Sequence, residues 1–575
     1  MKAGTPMKNE DVYLSCAFPW LFPYGIGDRH PPKKRARLVK HFLRFNDHRF
    51  ENDTKFCMTL FNQEQRRKIH GVLKVVCERG SNVSDTLKEI RKAAQERQSS
   101  GTLPKKTMDI LMEKLVPYSS AMKGTEPYYR QGRRNILAML DDPSTGTPCW
   151  FVTLSGRDFE TPDLAKALGE SEQTATSAVR KSLLNSHPAL AATLADRRYQ
   201  IVFDVVLEDG QALGEVKDYF IRAEWQHRGS LHWHIILFSP IQESDDKVEP
   251  VGPDKEKGRN HKCATQDEDQ HVSAAAKRLL KRIQSVPLVA YDEHGTQANK
   301  STLAAATAGI FAWNTTHADT CTKEGMEHLK GCQGPMFHDL SKCKRYKRKD
   351  KTGTMKSCGH NYPRSKTGAS WIKKRGTRLI SNPVSNNGLM VSSHPTVLRA
   401  DLGNCDTTPI DHQYGVAAYT AYYVSKQEPE TVEALQTLLG SLPENTPIKT
   451  VWQKVLMNAL GITSTSSQQA CHIMLGLDLI KTSRPVKPLF IPTRDYVHEA
   501  LVDPRTLEDK PNDMQRYLTR TFLAPDKDLD KLKSMSFFEW KRGKDGVVDI
   551  RPPLNFNVDE DPNAAFRVLC CFKPK

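Results

Sequence analysis

Apolar and polar positions alternate along this chain in two distinct periods. A period of two runs through EVKDYFIRAEW (215–225) and again through LHWHIILF (231–238), with a tight turn containing Gly229 between them. It predicts two adjacent strands. CWFVTLSG (149–156) predicts another short apolar strand that ends in a turn. A helical period predicts helices over 186–207, 272–283 (VSAAAKRLLKRI) and 416–427 (VAAYTAYYVSKQ). HFLRFNDHRF (41–50) fits a helix with Phe42, Phe45 and Phe50 turned partly inward, whereas the prolines of FPWLFPYG (18–25) predict loop or extended chain. A polar helical region is expected over 80–118, with ERQSSGT (96–102) as a linker, and a charged insertion over 241–270. Residues 430–575 alternate helical patches with proline-rich connectors. The expected architecture is α+β, an antiparallel sheet flanked by helices.

Composition adds a partner class. A chain of 575 residues accommodates roughly two to four domains. Its 38% hydrophobic and 26% charged residues are those of globular protein and exclude a disordered chain. Against 67 Asp and Glu stand 84 Lys and Arg, a net charge of +17 and a pI of about 9.2, which favours a polyanion, nucleic acid first. No apolar run is long enough to span a bilayer, so no membrane partner is expected. The opening residues are polar with no signal-peptide pattern, and the thirteen Cys are scattered. Reduced thiols in a cytosolic or nuclear setting are therefore expected, where Cys and His clusters point to zinc more than to disulfides. The run PPKKRAR (31–37) reads either as a nuclear address or as a loop in which Lys33, Lys34 and Arg35 contact phosphates.

The strand 231–238 carries the most specific chemistry. Residues i and i+2 of a strand share a face, so His232 and His234 project together with Trp233 behind them. Glu224 and Gln226 have the same relation on the preceding strand. Pairing through the Gly229 turn brings a carboxylate or amide oxygen beside two imidazoles, a donor set for a divalent cation with positions left open for phosphate or water. The alternative is a pair of satisfied core histidines.

YTAYYVSK (419–426) places a second group of functional side chains. At about 100° per residue, Tyr423 lies about 40° from Tyr419, and Lys426 about 20° from it on the other side. Two phenols and an ammonium on one stripe suit either a nucleophile helix or an amphipathic face whose polar tips reach solvent. A phenol attacks poorly at neutral pH unless a metal-polarised phosphate or a nearby cation assists.

Together these residues resemble the HUH endonuclease (Rep) domain of Helitron rolling-circle transposases. The resemblance rests on Glu224, Gln226, Arg228, Gly229, His232 and His234, on the spaced Tyr419, Tyr423 and Lys426, and on FVTL at 151–154. AFPWLFPYGIGD (17–28), HPALAATLADRRYQIVFDVVL (187–207), NCD (404–406) and QQACHIMLGL (468–477) extend it over about 17–490. It implies an HUH-type sheet with the histidine pair on a central strand. His232 and His234 hold Mg2+ or Mn2+, completed by Gln226 or Glu224. Tyr419 or Tyr423 attacks single-stranded DNA, becomes joined to the 5′ end and frees a 3′-OH at transposon ends. Family members continue into a helicase; this chain contains no G-x-x-x-x-G-K-[ST] pattern, so no ATPase activity is expected of it.

A basic Cys/His tract over 315–375 separates the two motifs. Its His317, Cys321, Cys332, Cys343, Cys358 and His360 are the candidate ligands of a structural Zn2+, with HADTC (317–321) and CGHNYPR (358–364) resembling the family's paired segments. Free thiols in a loop insertion are the alternative. Lys344, Arg345, Lys347 and Arg348, with Arg228 and the 33–35 run, are candidate contacts to DNA. The expected organisation is an aromatic and basic DNA-binding region (1–145), a first part of the nuclease core (146–300), the zinc-binding insertion (301–375), a second part with the tyrosine helix (376–430) and a helical extension (431–575). The expected function is nicking and strand transfer in the nucleus. A domesticated DNA-binding protein without turnover, or a metal-dependent hydrolase using His-x-His, stands beside it.

Overall fold

The computed structural model describes residues 13–26, 35–79, 115–156, 163–170, 176–225, 230–240, 404–410, 441–443, 445–459, 465–490, 513–520, 528–543 and 546–551, short strands between 288 and 393, and isolated positions at 88, 92, 397, 400, 401 and 438. The helices are α1 (Tyr13–Ala17), α2 (Arg35–Leu43), α3 (Arg49–Asn52), α4 (Thr54–Arg79), α5 (Glu126–Asp141), α6 (Asp163–Ala167), α7 (Ser177–Ser186), α8 (Pro188–Val202), α9 (Ile448–Ala459), α10 (Ser467–Leu475), α11 (Asp513–Leu518), α12 (Leu529–Ser534) and α13 (Phe537–Arg542). The principal strands are β1 (Thr147–Ser155), β2 (Asp218–Trp225) and β3 (Leu231–Ser239). Short ladders pair β4 (Leu288–Ala290) with β6 (Ala312–Asn314), β5 (Gly309–Ile310) with β9 (Ser392–Ser393), and β7 (Trp371–Arg375) with β8 (Arg378–Asn382). Then come β10 (Asn404–Pro409), β11 (Ile480–Thr482), β12 (Val486–Phe490) and β13 (Val547–Arg551). The mixture of helices with antiparallel strand pairs is α+β.

The chain divides into two compact units, one of residues 1–131 and 148–481, the other of 132–147 and 482–575. In the first, a five-stranded sheet runs in the order β10-β1-β3-β2-β11, which puts β3 in the middle. The predicted hairpin forms with Arg222 opposite His234 and Glu224 opposite His232. Period two then sorts the faces. Trp150, Val152 and Leu154 of β1, Ile221 and Ala223 of β2, and Trp233, Ile235 and Leu237 of β3 are buried in one core, with Tyr199 and Val202 of α8 packed over them. The other face is polar towards the β2–β3 turn and apolar at its far end, where Phe220, Ile236 and Phe238 are buried.

Helical packing follows the same logic. Ile69, Val72, Leu73 and Val76 of α4 repeat at helical spacing and meet Val451, Trp452, Val455 and Leu456 of α9. The 41–50 expectation is corrected: α2 stops at Leu43 and α3 starts at Arg49, because His48 takes a left-handed backbone with φ 59° that a continuing helix excludes. The break has a use. Glu51, buried in α3, accepts hydrogen bonds from the Ala189 and Leu190 amides at 2.8 and 2.9 Å, and contacts His48 Nδ1 at 2.6 Å. A carboxylate thus satisfies the orphan amides at the start of α8, where the helix dipole also favours it. The helix expected over 186–207 begins at Pro188, since proline suits a first turn, and widens into a π-helical turn over Phe203–Glu208.

Part of the helical extension expected over 431–575 is strand. β12 and β13 pair in parallel, and Leu489, Met514, Tyr517, Phe537 and Val548 form a small core of their own. Ser536 and Glu539 make a reciprocal capping box at the start of α13.

Candidate functional site

On the polar half of the sheet the two imidazoles lie with ring centroids 4.5 Å apart and planes at 77°. Neither ring is left to swing. Ser155 Oγ lies 2.5 Å from His232 Nδ1, and Thr153 Oγ1 lies 3.4 Å from His234 Nδ1. Phe151 stacks on His234 with centroids 5.7 Å apart. Phe151, Thr153 and Ser155 alternate along β1, so one face of that strand supports both histidines. Each Nδ1 thus faces a hydroxyl of β1, an orienting contact on the nitrogen that points towards that strand.

Glu224 completes the cluster from β2. One carboxylate oxygen is 3.5 Å from His234 Nε2 and 4.0 Å from Arg222 Nη1. Burial pushes this carboxyl up, but the hydrogen-bonding contact with His234 and the charges of Arg222, His234 and His232 outweigh it and hold it at about 2. The Arg222 guanidinium carbon lies 4.9 Å from the Tyr129 ring centroid. Burial raises the Tyr129 phenol, with Glu224 and Glu126 pushing it further up against the pull of Arg222. Asp406 stands opposite Thr153 in the β1–β10 ladder and so shares this face, two strands from His234 with β1 between them.

Sequence reasoning placed Glu224, His232 and His234 on common faces, and the structure brings these three together. That reasoning named FVTL (151–154) and NCD (404–406) only as segments of the resemblance, without placing Phe151, Thr153 or Asp406 beside the histidines, and it did not single out Ser155, Arg222 or Tyr129. The alternation in FVTLS was the available signal for Phe151, Thr153 and Ser155. Among the described residues, no three His, Cys, Asp or Glu side chains form a group that could hold a metal ion. Two imidazoles and a carboxylate are donors of a kind that a divalent cation takes, but Glu224, His232 and His234 do not make such a group by themselves.

Gln226 and Arg228 lie outside the described residues. So do Tyr419, Tyr423 and Lys426, the candidates His317, Cys321, Cys332, Cys343, Cys358 and His360, and Lys33, Lys34, Lys344, Arg345, Lys347 and Arg348. Arg35 is described: it donates to Glu64 at 2.7 Å and to Gln63 at 2.9 Å, tying α2 to α4.

Behind the cluster, a fully buried histidine is expected to make the fold sensitive to pH. His472 of α10 meets Trp225 edge to face at 5.5 Å, and its Nδ1 has no hydrogen-bond partner. Burial lowers it to about 4; the Lys123 and Lys481 charges act in the same direction, while the Asp478 carbonyl and carboxylate oppose. Unfolded, this group protonates near 6.5. Between those values the unfolded chain binds more protons, so stability is full above about pH 6.5 and falls as the pH drops towards 4. We expect urea denaturation to show about 2 kcal/mol less stability from this group at pH 5 than at pH 7. His472→Gln should flatten that part of the profile.

The fold and cluster define a class: an α+β domain that presents two adjacent imidazoles and a carboxylate on the middle of an antiparallel sheet. Residues 38–237, which contain the whole β2–β3 hairpin as far as Leu237, match the family model described as the Helitron helicase-like domain at the N-terminus. The chain therefore carries a Helitron-related N-terminal region. No curated protein matches it. Among the described residues no helix is long and apolar enough to cross a membrane.

Proposed function

We propose that this chain is a nuclear, metal-dependent endonuclease and strand transferase of the Helitron type, which nicks single-stranded DNA at transposon ends and joins the 5′ end to a tyrosine. The observation that carries the reading is the imidazole pair on β3, anchored at Nδ1 by Ser155 and Thr153 with Glu224 alongside. His232, His234 and Glu224, or Gln226 in place of the carboxylate, would hold Mg2+ or Mn2+, which supplies Lewis-acid polarisation of the scissile phosphate. The phenol oxygen of Tyr419 or Tyr423 forms a bond to phosphorus and gives up its proton. The 3′ oxygen departs and takes up a proton, leaving a 3′-OH. The phosphotyrosine retains the energy of the broken bond, so rejoining needs no ATP. Lys426 contributes positive charge to the phosphate or the phenolate. Zn2+ in the 301–375 tract is a structural part of this proposal.

The test is a covalent adduct. Labelled single-stranded DNA, incubated with the protein and Mn2+, is expected to migrate with the protein on a denaturing gel. Changing Tyr419 and Tyr423 together to Phe is expected to remove that band. Cleavage that yields only free products, unaffected by the double change, would instead establish a hydrolase. Binding without cleavage would establish a DNA-binding protein that has lost turnover.

A further inference from the structure

The segment 18–26 sorts its side chains sharply between core and solvent. Phe18 meets Phe56 edge to face at 5.3 Å, and Phe22 meets Phe42 at 5.6 Å and Phe50 at 5.3 Å. These contacts pin the segment onto α2, α3 and α4. Leu21 is buried with them, and successive turns carry Pro19, Trp20, Pro23 and Tyr24 outward: Leu21 N bonds to Phe18 O, Phe22 N to Pro19 O, and Gly25 N to Phe22 O. Gly25 takes φ 61°, where a side chain would be strained. Trp20 ends 62% exposed and Tyr24 86% exposed, and they are the aromatic members of the exposed large apolar side chains among the described residues.

The exposed indole is held in place. Its Nε1 donates to Asp53 Oδ2 at 2.9 Å, while Asp53 Oδ1 caps α4 by accepting from the Phe56 amide, also at 2.9 Å. Phe18 supports Trp20 edge to face at 5.6 Å. A carboxylate shared between a helix cap and an indole fixes that ring while most of its surface faces water. Ordering before contact reduces what a ligand loses on binding. The helices beneath also carry exposed cations, Arg37 on α2 and Lys55 on α4, with Arg44 just past the end of α2.

A held indole and an exposed phenol, on a segment pinned to helices that carry cations, suit unstacked bases on a polyanionic backbone, and a chain of net charge +17 attracts such a backbone. We propose that Trp20 and Tyr24 form a stacking platform for bases of single-stranded DNA. This deepens the function proposed above and rests on its DNA substrate, but not on its chemistry.

The experiment is equilibrium binding of the full chain, without added Mg2+ or Mn2+ and at fixed salt, to fluorescein-labelled oligo(dT) and to an abasic oligonucleotide with the same number of phosphates. Trp20→Ala and Tyr24→Ala are each expected to weaken oligo(dT) binding about tenfold or more and to leave abasic binding unchanged. Tyr24→Ala removes a side chain that is almost wholly in water, so its folding is secure. Unchanged affinity for oligo(dT), or an equal loss on both oligonucleotides, would overturn the platform. Because no Mg2+ or Mn2+ is supplied, the outcome is independent of the adduct assay. An adduct with no Trp20 or Tyr24 dependence removes the platform alone, and base-dependent binding without an adduct removes the nuclease alone.

Discussion

With His232 and His234 both changed to alanine, Mn2+-dependent adduct formation is expected to fall by at least about 10³-fold, the equivalent of about 4 kcal/mol of transition-state stabilisation. The proposed ion has no other nitrogen donors on this face among the residues described, and neither Arg222 nor Glu224 replaces an imidazole in kind. Both rings are partly exposed, so the fold should withstand the change. The supporting hydroxyl provides a graded control. Ser155→Ala removes the partner 2.5 Å from His232 Nδ1 and leaves every proposed ligand in place. Loss of such an orienting contact is expected to weaken Mn2+ affinity about 10- to 100-fold, read as a shift of the Mn2+ dependence of the adduct. Full adduct yield from the double alanine variant would remove the imidazole pair from the chemistry.

The largest effect on stability is expected one residue away, on the reverse face. Trp233 is completely buried, with Tyr199 at 5.5 Å and Lys481 Nζ 4.5 Å from its ring centroid. Trp233→Ala leaves a cavity at the middle of the sheet and removes a cation–π contact, and should destabilise the first unit by about 4 kcal/mol in urea denaturation. Trp233→Phe separates volume from polarity. The indole Nε1 is buried with no hydrogen-bond partner, a group whose burial costs about 1–3 kcal/mol. Phenylalanine loses volume but also loses that donor, so its net cost should be below about 2 kcal/mol. A phenylalanine variant as unstable as the alanine one would contradict this account.

The hairpin was legible in the sequence because period two is local: it fixes which of residues 215–238 share a face, and so which side chains can meet around His232 and His234. The support from β1 was not legible. Nothing within 149–156 says that it lies beside β3, or that β10 and β11 close the sheet, since pairing between distant segments leaves no trace in a local period. Arg222 and Tyr129 escaped for the same reason, as their meeting depends on how α5 approaches β2. The stretch 41–50 was misread because one left-handed residue, His48, ends a helical pattern that the phenylalanines continue. In 18–26 no period exists to separate Phe22 from Tyr24, and only the packing of α2 and α4 decides between them.

The strand order has a consequence for how this protein can change over time. Among the described residues, the chain leaves the sheet at Ser239 and next pairs with it at Asn404, and the hairpin that carries the imidazoles is complete before that departure. The entropy of closing such an excursion grows only with the logarithm of its length, so doubling it would add about 0.6 kcal/mol. Long insertions can therefore be gained, lost or exchanged at this point almost without penalty, a port through which the same scaffold acquires new attachments.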